Sequence, residues 1–178
     1  TGYTGSELVR LFKDHQEVEI GAITSESYAG EQFSAIHPQF QGIVDFTLQS
    51  ANDIAPEAFD LLFLALPHGV SMEYVKKWAA YNVKLVDLSG DFRLSSVETY
   101  EKWYHKDHVY PNGFKDAVFG LPELYRQKIR KAKLLANPGC FPTGAILALM
   151  PLLKEGMADP QSLIIDSKTG VTGAGIKP

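Results

Sequence analysis

Hydrophobic positions along the chain fall into short blocks that switch between a helical and a strand-like period. Residues 6–13 are amphipathic, with Leu8, Leu11 and Phe12 on one helical face. Residues 18–24 form a strand candidate. The block Asp60-Leu61-Leu62-Phe63-Leu64-Ala65-Leu66 is almost continuously apolar, as a strand covered on both faces is. A helix is predicted over about 72–81, then a second buried strand at Val83-Lys84-Leu85-Val86-Asp87. Residues 95–114 are aromatic and polar with weak periodicity, which predicts short helices and loops covering a cleft. Lys133-Leu134-Leu135-Ala136 predicts a further short strand, and Gly144-Ala145-Ile146-Leu147-Ala148-Leu149-Met150 an apolar helix. Leu163-Ile164-Ile165-Asp166 predicts the start of a later strand, in another sheet. Strands alternating with helices make βαβ units, so the expected fold class is α/β with a parallel sheet. No internal repeat or low-complexity segment interrupts this order.

Composition narrows the picture. A chain of 178 residues can bury one sizeable core and begin a second domain. With 17 basic and 21 acidic residues and no Lys/Arg run, nucleic acid is not an expected partner. The longest apolar stretches, such as residues 61–67, are too short to span a bilayer. No secretory signal pattern precedes the first motif and no Asn-x-Ser/Thr sequon occurs. One cysteine cannot form an internal disulfide, so a reducing cytoplasm is the expected compartment. No metal site is expected. Both ends read as cut: the chain opens on a glycine motif with no strand before it and closes in mid-loop.

That one cysteine, Cys140, lies in Asn137-Pro138-Gly139-Cys140-Phe141-Pro142-Thr143, between the predicted strand at 133–136 and the apolar helix. Proline and glycine force a sharp turn here and open a helix. A thiol at a helix N-terminus meets unpaired N–H groups and the positive end of the dipole, which favour the nucleophilic thiolate. The alternative is packing, because a free cysteine often behaves as a small buried hydrophobe.

Other motifs follow strands. Thr1-Gly2-Tyr3-Thr4-Gly5 ahead of a helix fits the second half of a G-x-x-G-x-x-G dinucleotide loop, and it also fits an ordinary tight turn. The strand candidate at 18–24 ends on Thr24 and Ser25, where a cofactor's adenosine ribose is usually met. Hydroxyls there lean towards NADP, whereas Glu26 is an acid and leaves NAD open. Pro67-His68-Gly69 follows a buried strand, the edge where α/β ligands gather; His68 reads as acid–base group or loop brace. In Asp87-Leu88-Ser89-Gly90-Asp91-Phe92-Arg93, Arg93 can clamp a phosphate or carboxylate, or pair with Asp91 to brace the loop. Gly170-Val171-Thr172-Gly173-Ala174-Gly175 suits close approach of backbone to a ligand, or a flexible interdomain turn. No general base for the cysteine emerges from spacing alone.

These motifs, with Phe119-Gly120-Leu121-Pro122-Glu123 and the lead-in Thr169, occur in one order along the chain. That ordered set resembles the N-acetyl-γ-glutamyl-phosphate reductases, a family related to the aspartate-semialdehyde dehydrogenases. The resemblance implies an α/β protein of two domains. Residues 1–139 would form a Rossmann-type NADP-binding domain, and 140–178 the start of a catalytic and dimerisation domain. It implies NADPH-dependent reduction of an acyl phosphate through a thioester on Cys140. Arg93, Asn137 and Gly173 are expected on the substrate. Thr1, Gly2, Tyr3, Thr4, Gly5, Thr24, Ser25, Pro67, His68, Ser89 and Gly175 are expected on NADP(H). Ser25 would lie near the 2′-phosphate, where some relatives carry a basic residue next in sequence; Glu26 departs from that. The family's catalytic histidine is expected beyond Pro178. A homo-oligomer, dimer or tetramer, acting on a small acyl phosphate is implied. The rival readings are the same chemistry on N-acetyl-aminoadipyl phosphate or a carrier-bound substrate, and a non-catalytic nucleotide-binding module.

Overall fold

The computed structural model describes residues 1–174, which divide into two compact units. One comprises Thr1–Phe59 with the tail from Thr169, the other Asp60–Lys168.

In the first unit, helix α1 (Tyr3–Phe12) is set by the apolar stripe, and Val9 is its buried member. Leu8 and Phe12 are half-buried, while Leu11 stays exposed. The helix starts three residues earlier than expected, so Tyr3, Thr4 and Gly5 form its first turn, with Gly2 at the N-cap. Val9 packs with Phe33 of the short helix α2 (Phe33–Ile36), and with Phe40, Val44 and Leu48. The strand expected at 18–24 is reduced to one parallel bridge, Thr24 to Gln49. Ile20 and Ile23 still pack on the core, so the apolar pattern reports burial. A ladder needs a neighbour along its whole length, and here only the last residue is paired.

The second unit is built on a four-stranded, wholly parallel sheet in the order β1-β2-β4-β3. Its strands are β1 (Leu61–Leu64), β2 (Lys84–Asp87), β3 (Ala117–Phe119) and β4 (Leu134–Ala136). Leu61 pairs with Lys84, and Leu134 lies between Leu85 and Ala117. Helix α3 (Ser71–Trp78) buries Met72, Val75 and Trp78, three residues apart on one face. Helices α4 (Val97–Tyr104) and α5 (Gly113–Asp116) come from the aromatic stretch. Ser96 caps α4 by accepting the Thr99 N–H at 3.2 Å, and Tyr100 is the residue it buries fully.

Helix α6 (Pro122–Lys131) has proline in its first turn and three basic residues in its last, the arrangement a helix dipole favours. Helix α7 (Cys140–Lys154) is apolar all round, yet buries no residue fully. The strand expected at 163–166 does not form: Ile164 and Ile165 stand exposed with no ladder partner. No helix among the described residues is long and apolar enough to cross a membrane.

Candidate functional site

Because all four strands of the second unit run parallel, their carboxyl ends open on one edge. That edge is where ligands of open α/β sheets collect. Three adjacent strands deliver three loops there. Residues 65–70 follow β1 and carry Pro67 and His68. Residues 88–93 follow β2 and carry Ser89 and Arg93. Residues 137–139 follow β4 and lead from Asn137 into Cys140, the first residue of α7.

These loops are tied together by buried polar groups. Asp87, the last residue of β2, is fully buried. Its Oδ1 accepts from Ser71 Oγ at 2.5 Å and Ser89 N–H at 2.9 Å, and its Oδ2 from Ser89 Oγ at 2.9 Å. Burial pushes its carboxyl above the usual range; these three hydrogen bonds pull it back, and the neighbouring Asp91 charge raises it further. Ser89 Oγ also accepts the Asp91 N–H at 3.0 Å, so this hydroxyl braces its own loop.

Asp91 reaches across to the loop after β1. Its carboxylate accepts the Gly69 N–H at 2.7 and 3.0 Å, the Met72 N–H at 2.9 Å and the Tyr100 hydroxyl at 3.2 Å. It therefore serves as the N-terminal cap that α3 lacks on its own chain segment. Burial, then the Asp91 charge, pushes the Tyr100 hydroxyl far above its ordinary range, so it stays a donor. His108 Nε2–H donates to the Asp91 carbonyl at 3.0 Å, and Nδ1 accepts the Tyr110 N–H at 3.2 Å. Burial lowers the His108 pKa.

Arg93 does not pair with Asp91, the structural alternative for that loop. Its Nε donates to the Asn137 carbonyl and its Nη2 to the Leu88 carbonyl, each at 2.6 Å. The planar fork thus joins the loop after β2 to the loop after β4. The third nitrogen, Nη1, lies against the turn before the cysteine: a Cβ at Gly139 would stand 3.2 Å from it. Asn137 N–H donates to the Asp87 carbonyl at 2.8 Å, extending the β2–β4 ladder by one bond. Cys140 itself is exposed. Thr143 N–H and Oγ both donate to the Gly139 carbonyl, at 3.0 and 2.8 Å. Pro142 has no N–H, so the first-turn donors at the thiol are those of Cys140 and Phe141.

His68 takes the bracing role in this geometry. Its Nδ1 accepts the Gly90 N–H at 2.6 Å, and its ring lies 5.5 Å from that of Tyr104. Gly69 adopts φ +79°, and the Lys106 side chain fills the space a Cβ would need. Lys106, Asp87, Asp91, Tyr100 and His108 are all absent from the sequence-derived site. Two aspartates in one motif at the end of an apolar block are a readable signal; nothing in spacing announces Lys106, Tyr100 or His108.

The first unit carries the glycine motif. Gly2 and Gly5 face open space, with nothing within 4 Å of a Cβ built on either. No side chain caps α1. Thr1 Oγ1 and Ser25 Oγ are 3.1 Å apart, and His37 Nε2 donates to the Thr1 carbonyl at 2.9 Å. Thr24 forms the bridge to Gln49. Gly173 lies in a 3₁₀ turn (Val171–Ala174), its N–H bonded to the Gly170 carbonyl at 3.0 Å. Gly175 lies outside the described residues. Among the described residues no group of three or more His, Cys, Asp or Glu side chains is placed to hold a metal ion.

Known proteins resemble this chain closely. Residues 1–132 match the family model of the semialdehyde dehydrogenase NAD binding domain, and residues 140–178 that of the semialdehyde dehydrogenase dimerisation domain. The N-acetyl-gamma-glutamyl-phosphate reductase of Methanosphaera stadtmanae is 49% identical over 179 residues, covering 100% of this chain and 50% of the relative. Those of Pelotomaculum thermopropionicum and Heliobacterium modesticaldum are 48% and 47% identical, each over 98% of this chain and 51% and 50% of the relative. The chain thus spans about half the length of the curated relatives it matches. Among solved structures, aspartate semialdehyde dehydrogenase II from Vibrio cholerae superimposes with a TM-score of 0.61 at 17% identity, over 87% of this chain and 40% of that one.

Proposed function

The chain belongs to the semialdehyde dehydrogenase family, and we propose that the whole protein is an NADPH-dependent N-acetyl-γ-glutamyl-phosphate reductase of arginine biosynthesis. One observation carries this reading: an exposed thiol opens a helix at the carboxyl edge of a parallel sheet, beside a fixed guanidinium. The relatives named above all bear the glutamyl name, and nothing favours the aminoadipyl substrate.

In the proposed reaction the Cys140 thiolate attacks the acyl-phosphate carbonyl. A C–S bond forms, the C–O bond to phosphate breaks, and phosphate leaves with that electron pair. Arg93, held through Nε and Nη2, keeps Nη1 for the anionic group. The N–H groups of Cys140 and Phe141 stabilise the oxyanion. A bound reduced nicotinamide supplies the hydride that takes the thioester to the hemithioacetal level. Collapse of that adduct breaks the C–S bond, frees N-acetyl-glutamate semialdehyde and returns the thiolate. Asn137 and Gly173 are assigned to the substrate with Arg93.

The residues present fit a dinucleotide. Packing within the unit does not demand glycine at positions 2 and 5, whereas a pyrophosphate approaching the uncapped start of α1 does. Thr1 to Gly5 would hold that pyrophosphate, with Thr24 and Ser25 at the adenosine ribose. Pro67, His68, Ser89 and Gly175 complete the proposed cofactor set, Ser89 acting through the loop it braces. Residues 1–139 are taken as the nucleotide-binding domain and 140–178 as the beginning of a catalytic domain through which copies associate. The proposed compartment is the cytoplasm.

The test is phosphate-dependent reduction of NADP⁺ by the semialdehyde, run on the full-length protein. Cys140→Ser should lower turnover to background and abolish the acyl-enzyme mass adduct that the wild type forms with the acyl phosphate. Wild-type turnover by that variant would remove the assignment.

A further inference from the structure

Glu26 stands one residue past Ser25, at the segment end that the reductase reading turns toward the adenosine ribose. An acid at such a place ordinarily selects NAD, because a free carboxylate accepts ribose hydroxyls and repels a 2′-phosphate. Here that carboxylate is otherwise engaged. Its Oε1 accepts the Ala51 N–H at 2.8 Å, and Ser50 Oγ donates towards both oxygens, at 3.1 and 3.0 Å. Ser50 Oγ in turn accepts the Asn52 N–H at 3.2 Å, which fixes the hydroxyl. Backbone pairing sets this turn opposite Glu26. Ser25 N–H donates to the Gln49 carbonyl at 2.9 Å, and Gln49 N–H to the Ile23 carbonyl at 3.1 Å. Three contacts from one turn fix where the Glu26 carboxylate sits, although the side chain itself is exposed.

We propose that the Ser50–Ala51 turn is a latch that holds the Glu26 carboxylate to itself and thereby sets cofactor preference. With the carboxylate held on that turn, the hydroxyls of Ser25 and Thr1, 3.1 Å apart, are the neutral groups left for the ribose end. The chain then takes the 2′-phosphorylated dinucleotide despite the acid in its sequence. Ser50 acts through Glu26 and is a positioning residue. This inference rests on the reductase reading above.

The experiment measures dissociation constants of NADPH and NADH on the full-length protein by nicotinamide fluorescence, without turnover. Glu26→Asp keeps the charge but is one methylene too short to reach Ser50 and Ala51. It should weaken NADPH about tenfold, with NADH unchanged or tighter. Glu26→Gln keeps an acceptor for the Ala51 N–H without the charge, and both constants should stay within about twofold of wild type. Ser50→Ala should shift the ratio in the direction of Glu26→Asp, and adding Glu26→Gln should restore it, a rescue that simple structural damage does not allow. Amide exchange at Ala51, measured without nucleotide, should be faster in Glu26→Asp. A roughly tenfold gain in NADPH affinity by Glu26→Gln would overturn the latch, because the charge would then act on the cofactor in the wild type. An unmoved ratio in Glu26→Asp would overturn it as well. If wild type binds neither nucleotide, the reductase reading fails and the latch with it; binding with an unmoved ratio removes the latch alone.

Discussion

Asp91 shows how one side chain can organise a site it does not line. It is fully buried and takes donors from two backbone N–H groups and one phenol. Removing it strands all three, and each buried group left without a partner costs about 1–3 kcal/mol. Asp91→Ala should therefore destabilise the protein by at least ~3 kcal/mol. Asp91→Asn should cost less: its carbonyl oxygen can still accept from Gly69 and Met72, and only the Tyr100 hydroxyl loses its acceptor. Urea unfolding of both variants checks the order; equal losses would mean that the charge, not the acceptor count, matters. Ser89 belongs to the same arrangement, its hydroxyl shared between Asp87 and Asp91.

Among the elements, α3 was readable in advance and α6 was not. Met72, Val75 and Trp78 repeat every three residues on one face, and the helix forms within three residues of its expected bounds. Helix α6 buries no residue fully, so no apolar stripe announced it, although proline and Glu123 in its first turn mark a helix start. Strand β3, three half-buried residues long, was too short to stand out. The residues at 18–23 and 163–166 have strand composition without strand pairing, because pairing depends on a neighbour that local pattern does not encode. The chemistry-bearing loops were legible since glycine, proline and charge cluster directly after apolar blocks. What joins them, Asp91 to α3 and Arg93 to the Asn137 carbonyl, is tertiary and was not. Trp78 adds a test at this scale. Its Nε1 is buried with no hydrogen-bond partner among the described residues. Trp78→Phe removes that stranded donor and should change stability by less than about 1 kcal/mol, whereas Trp78→Ala should cost about 3–5 kcal/mol through its cavity. Thermal denaturation of both variants decides it.

For the whole molecule, pH is the simplest probe. His108 is held neutral by burial, with Nε2–H on the Asp91 carbonyl and Nδ1 facing the Tyr110 N–H; Asp91, Glu101 and Asp87 offset the shift in part. Its folded pKa lies below the ordinary 6.5, so below that pH the unfolded chain binds the proton more readily. The contribution to stability is thus complete above pH 6.5, is lost as pH falls below it, and levels off beneath the folded pKa. Melting temperatures of the full-length protein should fall more steeply below pH 6.5 in wild type than in His108→Gln; parallel profiles would refute the role. Helix α7 bears on a different matter, the tolerance of its sequence to change. It is apolar on every side and fully buries nothing within its unit, with Phe141, Leu147 and Leu152 exposed. Folding of the described residues therefore exerts little selection on those side chains. Leu147→Asp should leave the melting temperature of the 178-residue chain nearly unchanged, yet sharply lower that of the full-length protein. A mutational scan run on both lengths would separate positions that answer to this chain's own packing from positions that answer to what lies against it.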